Sequence, residues 1–166
     1  DVASINEVNA ALEVGYAPEH MAFSNPIKAP WEIEAARKIG VRMYGVDSEA
    51  ELVKLAKHAP GCDVYARLDV PNKGSVWPLT GKFGVDKHEA TRLLVAAKRV
   101  GLNPVGVTFH VGSQCLNPEN WATAIDLSRE VFDACAEQGI RLTLLNLGGG
   151  LPARENMTTP PPIEEI

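Results

Sequence analysis

Val-Gly-Val-Thr-Phe-His-Val-Gly-Ser-Gln occupies residues 105–114 of the chain. An apolar run ends there at His110, and a small turn, Gly112-Ser113, follows. Such a run predicts a buried strand whose end opens onto a ligand. The Gly112 and Ser113 amides, with the Ser113 hydroxyl, are candidates for binding an anion. For His110 two interpretations stay open: a pocket wall, or a loop histidine that bonds to a neighbouring carbonyl.

Four other short runs of apolar and β-branched residues also predict buried strands, at 21–24, 41–46, 64–70 and 142–147. Helical segments lie between them, and four are followed by a glycine that can end a helix: Gly15, Gly40, Gly101 and Gly139. Repeated strand and helix units imply right-handed crossovers and a parallel sheet.

Three helix starts are predicted by a capping residue placed three positions before a glutamate. These pairs are Ser4 with Glu7, Ser48 with Glu51, and Asp86 with Glu89. The largest predicted helix spans residues 118–138, with Pro118 in its first turn.

Two architectures fit this alternation, a doubly wound open sheet and a (β/α)8 barrel. The 166 residues suit the open sheet, because a full barrel needs about 200 or more. Residues 1–4, however, resemble the end of a sixth strand that leads into a capped helix. The chain therefore resembles most of a barrel with both ends missing. The connection at 71–81 is long enough to predict a mobile or functional loop.

Composition argues against several classes of protein. The net charge of −5 is spread along the chain, and no basic cluster is interleaved with aromatic residues, so nucleic acid is a poor candidate partner. No apolar run approaches the roughly 20 residues of a membrane-spanning helix, and no leader opens the sequence. Cys62, Cys115 and Cys135 are odd in number and widely spaced, which predicts reduced thiols, no metal site and a cytoplasmic protein.

In a parallel sheet, the polar residues that follow the strands gather at one edge. They are Asp1, Asn25, Asp47, Arg67, Asp69, His110, Ser113 and Asn146, and the last precedes Gly148, Gly149 and Gly150. Three consecutive glycines let backbone amides approach a phosphate, although a tight turn explains them equally well. Arg67 lies in an apolar strand and must be paired or bound to an anion. A salt bridge with Asp47 or Asp69 is the alternative to an anion site.

Seven motifs in this order resemble the pyridoxal-phosphate-dependent ornithine/lysine decarboxylases of the alanine-racemase-like barrel fold. The resemblance spans essentially the whole chain and implies an α/β fold, a partial (β/α)8 TIM-type barrel domain over residues 1–166. The motifs are Asp1-Val-Ala-Ser4, Phe23-Ser-Asn-Pro-Ile-Lys28, Val46-Asp-Ser-Glu49, Arg67-Leu, Lys82-Phe-Gly84, Val107-Thr-Phe-His-Val-Gly-Ser113 and Leu147-Gly-Gly-Gly-Leu-Pro152.

The resemblance implies a site for pyridoxal 5′-phosphate. His110 corresponds to the histidine that stacks on the pyridine ring, and Arg67 to the arginine near the phenolic oxygen of the ring. Asp1 corresponds to the aspartate beside the Schiff-base lysine, and Ser113 with the three glycines to the phosphate site. Lys82 resembles a lysine of an intersubunit ion pair, which implies a homodimer with shared active sites.

Other parts of the family's machinery are expected outside this chain. The Schiff-base lysine belongs on the strand before Asp1, and neither Lys28 nor Lys82 takes its place. The acidic residue for the ring nitrogen belongs on a strand after Ile166, and a C-terminal β-domain supplies a cysteine, an aspartate and a tyrosine. The chain alone is therefore expected to be inactive. Asn146 stands where many relatives have aspartate.

The implied function is decarboxylation of ornithine to putrescine, or of lysine to cadaverine, in polyamine biosynthesis. Gly-Gly-Gly-Leu-Pro at 148–152 and Trp-Pro-Leu-Thr at 77–80 resemble this branch more than the diaminopimelate decarboxylases. Diaminopimelate or arginine as substrate remains an alternative. A non-catalytic relative of the antizyme-inhibitor kind and a barrel that holds the cofactor without turnover are the others.

Overall fold

The computed structural model describes residues 1–79, 81–154, 160, 162 and 164. Helices and strands alternate along them, with a short 3-10 turn at Pro18–His20. The elements are α1 (Ile5–Glu13), β1 (Ala22–Phe23), α2 (Pro30–Ile39), β2 (Met43–Val46), α3 (Glu49–His58), β3 (Asp63–Arg67), β4 (Ser75–Trp77), α4 (Lys87–Arg99), β5 (Asn103–Thr108), β6 (Ser113–Cys115), α5 (Glu119–Glu137) and β7 (Leu144–Asn146).

The main sheet is parallel, with strand order β1-β2-β3-β5-β7. This order confirms the predicted strand and helix units. Val2 forms a parallel bridge with Phe23, so residues 1–4 do continue the sheet beyond β1 before α1 begins. All carboxyl ends of these strands therefore meet at one edge, where the predicted site residues lie.

A second, two-stranded sheet lies within the loops at that edge. β4 pairs antiparallel with β6, with Ser75 opposite Cys115 and Trp77 opposite Ser113. The predicted strand at 64–70 ends at Arg67 in the structure, because the chain then turns into the loop that carries β4. The long connection at 71–81 is therefore partly structured. Its three-residue strand is too short to show an alternating pattern in the sequence.

Two of the three predicted helix caps are confirmed. The Ser4 side chain accepts a hydrogen bond from the Glu7 amide, and Asp86 accepts from the His88 and Glu89 amides. The third helix, α3, also begins where Ser48 and Glu51 predict it, with Ser48 at the N-cap position, but the Ser48 side chain makes no capping bond. Glu51 is instead buried, because its carboxylate forms ion pairs with two lysine ammonium groups, those of Lys28 and Lys54.

The core lies between the sheet and the helices, in two clusters. One includes Val8, Ile33 and Leu55 under the first three helices, and the other includes Leu94 and Val131 under α4 and α5. Side chains alternate between the two faces of a strand, so one face of β3 carries Val64 and Ala66, and the opposite face carries Tyr65 and Arg67. Within the described residues, no helix is long and apolar enough to cross a membrane.

Candidate functional site

A cavity of about 200 Å³ opens at the carboxyl ends of the parallel strands. It is lined by Asp1, Ser24, Arg67, Thr108, Phe109, His110 and Gly148. The sequence predicted the four candidates Asp1, Arg67, His110 and Gly148, and the structure brings them together. Ser24, Thr108 and Phe109 were not proposed as site residues from the sequence.

His110 is half-buried and faces this cavity. Its Nδ1 accepts a hydrogen bond from the Gly112 amide at 3.0 Å, so the bond runs from backbone to imidazole rather than to a carbonyl. Burial, and secondly the positive charge of Arg67, lower the pKa of His110. The ring is therefore neutral at pH 7, with its proton on Nε2. The Gly112 amide, predicted as an anion donor, is engaged by this histidine.

Arg67 carries the positive charge of the cavity. Burial lowers the pKa of its guanidinium, which stays far above neutrality. Its Cζ lies 5.1 Å from the centre of the Phe83 ring. Among the described residues Arg67 forms no ion pair, and Asp47 instead accepts a hydrogen bond from the Gly84 amide at 3.1 Å. The salt bridge with Asp47 or Asp69, which was the alternative to an anion site, is therefore absent from that part of the chain, and the cation faces the cavity.

The turn at 148–150 packs closely against the strand end that carries His110. A side chain at Gly148 would overlap the Phe109 carbonyl oxygen, and one at Gly150 would overlap the Gly112 carbonyl oxygen. The Gly148 amide donates to Asn146 Oδ1 at 2.8 Å, and the Gly149 amide donates to the Leu147 oxygen at 2.8 Å. Close backbone approach thus explains the glycines at 148 and 150, and their phosphate role stays a prediction.

Asp1 is connected to the far strand of the sheet by Asn146. The Asn146 Nδ2 group lies 3.1 and 3.0 Å from the two Asp1 carboxylate oxygens, while its Oδ1 accepts from Gly148. One carboxamide therefore links Asp1 to the glycine turn. An aspartate at 146 could not donate to Asp1, so asparagine suits this arrangement.

Four of the predicted residues do not line this cavity: Ser113, Gly149, Gly150 and Lys82. Ser113 lies in β6, half-buried and opposite Trp77, and the described cavity lining does not include it. Lys82 is exposed, with Nζ 5.2 Å from the centre of the Phe83 ring. Neither position tests the phosphate role of Ser113 or the interface role of Lys82.

These residues fit a flat ligand that carries negative charge. Arg67 supplies a cation, His110 supplies a neutral aromatic ring, and a turn without side chains lies beside that ring. Gly149 lies next to the imidazole, and a Cβ there would be in ordinary contact with His110 Nε2, at 3.5 Å. The cavity therefore suits a phosphorylated aromatic group.

Comparison with known proteins gives a consistent result. The family model described as pyridoxal-dependent decarboxylase, pyridoxal binding domain, matches residues 1–166. The chain is 40% identical to the lysine/ornithine decarboxylase of Selenomonas ruminantium over 152 residues, which cover 92% of the chain and 39% of that protein. It is 36% identical to antizyme inhibitor 2 of Xenopus laevis, over 94% of the chain and 34% of that protein.

Solved structures of decarboxylases also match this chain, in fold and in sequence. A mutant of SrLDC crystallised in complex with PLP matches with a TM-score of 0.88 and 39% identity, over 92% of the chain and 40% of that protein. The arginine decarboxylase of Paramecium bursaria Chlorella virus bound to agmatine matches with a TM-score of 0.86 and 32% identity, over 90% and 40%. The parallel sheet is thus part of a TIM-type barrel, as predicted. The chain spans about two fifths of the length of these proteins or less.

Proposed function

Because the chain belongs to the pyridoxal-binding domain family of the pyridoxal-dependent decarboxylases, we propose that the protein that carries it decarboxylates a basic amino acid with pyridoxal 5′-phosphate. The substrate is ornithine, giving putrescine, or lysine, giving cadaverine, and the products belong to polyamine biosynthesis. The relative from Selenomonas ruminantium is named for these two substrates. Arginine or diaminopimelate is the alternative, and the arginine decarboxylase match supports the former.

One observation carries this proposal: Arg67 and the neutral His110 face the same cavity beside the glycine turn, and Arg67 has no ion pair among the described residues. We assign His110 to the face of the pyridine ring and Arg67 to an anionic oxygen of the ligand. Ser113, Gly148, Gly149 and Gly150 are assigned to the phosphate, and Asp1 to the position beside the Schiff-base lysine.

The bound cofactor supplies an electron sink for the electron pair that remains when the α-carboxylate leaves. The residues of this chain bind the ligand and orient the groups that contact it. The Gly112 amide fixes the imidazole plane of His110 through Nδ1. Asn146 holds the carboxylate of Asp1, so that this negative charge stays at one side of the cavity. Phe109 and Thr108 are both buried and complete the lining of the cavity.

The remaining assignments concern the whole protein. We propose that residues 1–166 form a partial barrel domain, with the Schiff-base lysine and the C-terminal β-domain supplied from elsewhere in a longer polypeptide. The protein is proposed to act in the cytoplasm as a homodimer with shared active sites, and Lys82 to lie near the subunit interface. Its exposure and its position after the β4 loop are compatible with that role.

A non-catalytic regulator of the antizyme-inhibitor kind is the second candidate. The 36% identity to antizyme inhibitor 2 favours it, since that value is close to the identity with the decarboxylases. The two candidates differ in turnover, so release of labelled carbon dioxide from ornithine, lysine, arginine and diaminopimelate by the full-length protein separates them. Release from none of the four contradicts the decarboxylase proposal.

His110→Ala in the full-length protein is expected to weaken cofactor binding about 10-fold, because the ring loses an aromatic contact worth roughly 1 kcal/mol and the packing around it. Absorbance titration with pyridoxal 5′-phosphate measures the change. His88→Ala is the matched control, since His88 is exposed on α4. Equal affinity of the His110 variant and this control would remove His110 from the site.

A further inference from the structure

Two hydroxyl groups meet at the base of the cavity. The Tyr65 hydroxyl lies 2.7 Å from Ser24 Oγ. Tyr65 is fully buried in β3, whereas Ser24 follows β1 and lines the cavity. A hydroxyl of the cavity wall is therefore fixed by a second hydroxyl behind it.

Gly45 makes this contact possible. It lies between the two strands, directly opposite Tyr65 in the β2-β3 register. A Cβ at position 45 would lie 3.2 Å from Tyr65 Cε2 and 2.9 Å from the Ser24 backbone oxygen. Because glycine has no side chain, the tyrosine ring crosses over β2 and reaches a residue two strands away. The arrangement thus needs three specific residues on three adjacent strands.

The direction of the hydrogen bonds follows from Ser24, because its single hydroxyl hydrogen is donated to the Ala22 carbonyl and so cannot also be donated to Tyr65. Burial is the largest cause that raises the pKa of Tyr65, to about 12, so its hydroxyl keeps its proton. If Tyr65 donates this proton to Ser24 Oγ, the Ser24 hydroxyl hydrogen is available for another acceptor. The acceptor present is the Ala22 carbonyl at 3.3 Å, which is a long bond for a hydroxyl donor. A rotation about one bond would turn the hydrogen towards the cavity.

The cavity attracts an oxyanion at this place. Arg67 lies two residues after Tyr65 on the same face of β3, and its guanidinium lines the same cavity as Ser24. A charged acceptor binds a hydroxyl donor more strongly than a backbone carbonyl does. A ligand oxygen that Arg67 attracts would therefore compete successfully with Ala22 for the Ser24 hydrogen.

We propose that Ser24 donates a hydrogen bond to the ligand oxyanion that Arg67 attracts, and that Tyr65 is the positioning residue that holds the Ser24 hydroxyl for this bond. The proposal rests on the proposed function, because it takes a pyridoxal compound and an amino acid as the ligands. The oxyanion is the ionised ring hydroxyl of the cofactor or the carboxylate of the substrate. Both are oxygen anions, and their titrations differ.

The test compares Ser24→Ala, Tyr65→Phe and the double variant in the full-length protein. Ser24→Ala is expected to weaken binding of the ligand that carries the oxyanion, either pyridoxal 5′-phosphate or the amino acid, roughly 10- to 100-fold. This is the effect of losing a hydrogen bond to a charged group. Tyr65→Phe is expected to weaken it about 3- to 10-fold. If Tyr65 acts through Ser24, the double variant binds no more weakly than Ser24→Ala alone. Ser24→Thr keeps the hydroxyl and should restore binding.

Tyr44→Phe is the matched control for loss of a buried tyrosine hydroxyl. Tyr44 is also fully buried, and its hydroxyl donates to the Val41 carbonyl at 3.0 Å on the helix-covered face of the sheet. This variant is expected to lose stability with unchanged ligand binding. A purely structural role of Tyr65 would give the same result for Tyr65→Phe, and that result would overturn the proposal.

Spectroscopy separates the two oxyanions. If the ring oxygen is the acceptor, Ser24→Ala raises the pH at which the absorbance band of the bound cofactor titrates, because the ionised ring loses a donor. If the substrate carboxylate is the acceptor, the KM for the amino acid rises while cofactor affinity and spectrum stay unchanged. Either result supports the hydrogen bond from Ser24. If Ser24→Ala changes neither the titration of the absorbance band nor the KM for the amino acid, the proposal is overturned. Failure of the unaltered protein to bind pyridoxal 5′-phosphate would instead overturn the proposed function.

Discussion

The neighbouring glycines Gly148 and Gly149 differ in how much space a side chain would have. Gly148 has a φ of 72°, and a Cβ there would overlap the Phe109 carbonyl oxygen. Gly148→Ala is therefore expected to lower the free energy of unfolding by about 2 to 5 kcal/mol, from left-handed backbone strain and steric overlap together. Urea unfolding measures the loss.

Gly149→Ala is the matched variant one residue away. Its Cβ would meet only the His110 ring, at 3.5 Å from Nε2, which is an ordinary contact. We expect its stability to stay within about 1 kcal/mol of the unaltered protein. Similar losses from both substitutions would mean that the turn does not pack on Phe109 as described.

The residues of the site were unequally predictable from the sequence. Arg67 and His110 interrupt apolar runs, and a polar side chain in such a run is a visible signal. Ser24 gave a weaker signal, because a hydroxyl at the end of a short strand is common. Its partner Tyr65 looks like any aromatic residue of a buried strand. Their contact depends on Gly45 in the strand between them, and no local pattern encodes a contact across three strands.

One buried side chain, Asn72, connects the β4 loop to the strand end that carries His110. Asn72 Nδ2 donates to the Val70 oxygen at 2.7 Å and to the His110 oxygen at 3.4 Å, and its Oδ1 accepts from the Leu79 amide at 2.7 Å. Asn72→Ala is expected to release the loop by about 1 to 3 kcal/mol, because buried groups lose their partners. Trypsin cleavage after the exposed Lys73 should then accelerate roughly 5- to 100-fold.

Asn103→Ala is the control for this experiment, since Asn103 is exposed at the start of β5 and its side chain bonds to Asp63, away from the loop. An unchanged cleavage rate in Asn72→Ala would show that other contacts hold the loop. The sequence predicted a long connection here but did not predict that part of it pairs with β6. A pair of three-residue strands forms because of the tertiary contacts around Asn72 and Gly112, which composition does not reveal.

At the scale of the whole molecule, a buried charged cluster connects the first two strands to α3. Lys28 Nζ donates to the Asn25 oxygen at 2.8 Å and to the Gly45 oxygen at 2.6 Å, and it lies 3.6 Å from the Glu51 carboxylate. Lys54 pairs with the same carboxylate. Three elements thus share one cluster, of which the sequence predicted a place only for Glu51, in a helix cap. A buried ion pair is by itself weak evidence for stability, because the cost of desolvating the charges offsets their attraction.

The cost of burying this ammonium predicts how stability depends on pH. Desolvation lowers the pKa of Lys28 from 10.5 to about 8 in the folded protein, against the opposing effect of Glu51. Below pH 8 the amine is protonated in both the folded and unfolded states, so the whole cost is present. Between about pH 8 and 10.5 the folded state loses its proton first, so the unfolded state binds more protons and the free energy of unfolding rises with pH.

Lys28→Met removes this contribution, so the unaltered protein should gain about 3 kcal/mol over the variant as the pH rises from 8 to 10.5. Urea unfolding of both proteins at a series of pH values measures the difference, in which the other titrating groups largely cancel. Lys57→Met is the control, because it removes an exposed lysine from α3, the helix that carries Glu51, and the difference in stability between it and the unaltered protein should not change with pH. Parallel stability curves for Lys28→Met and the unaltered protein would contradict a buried, charged Lys28, and with it the central connection between β1, β2 and α3.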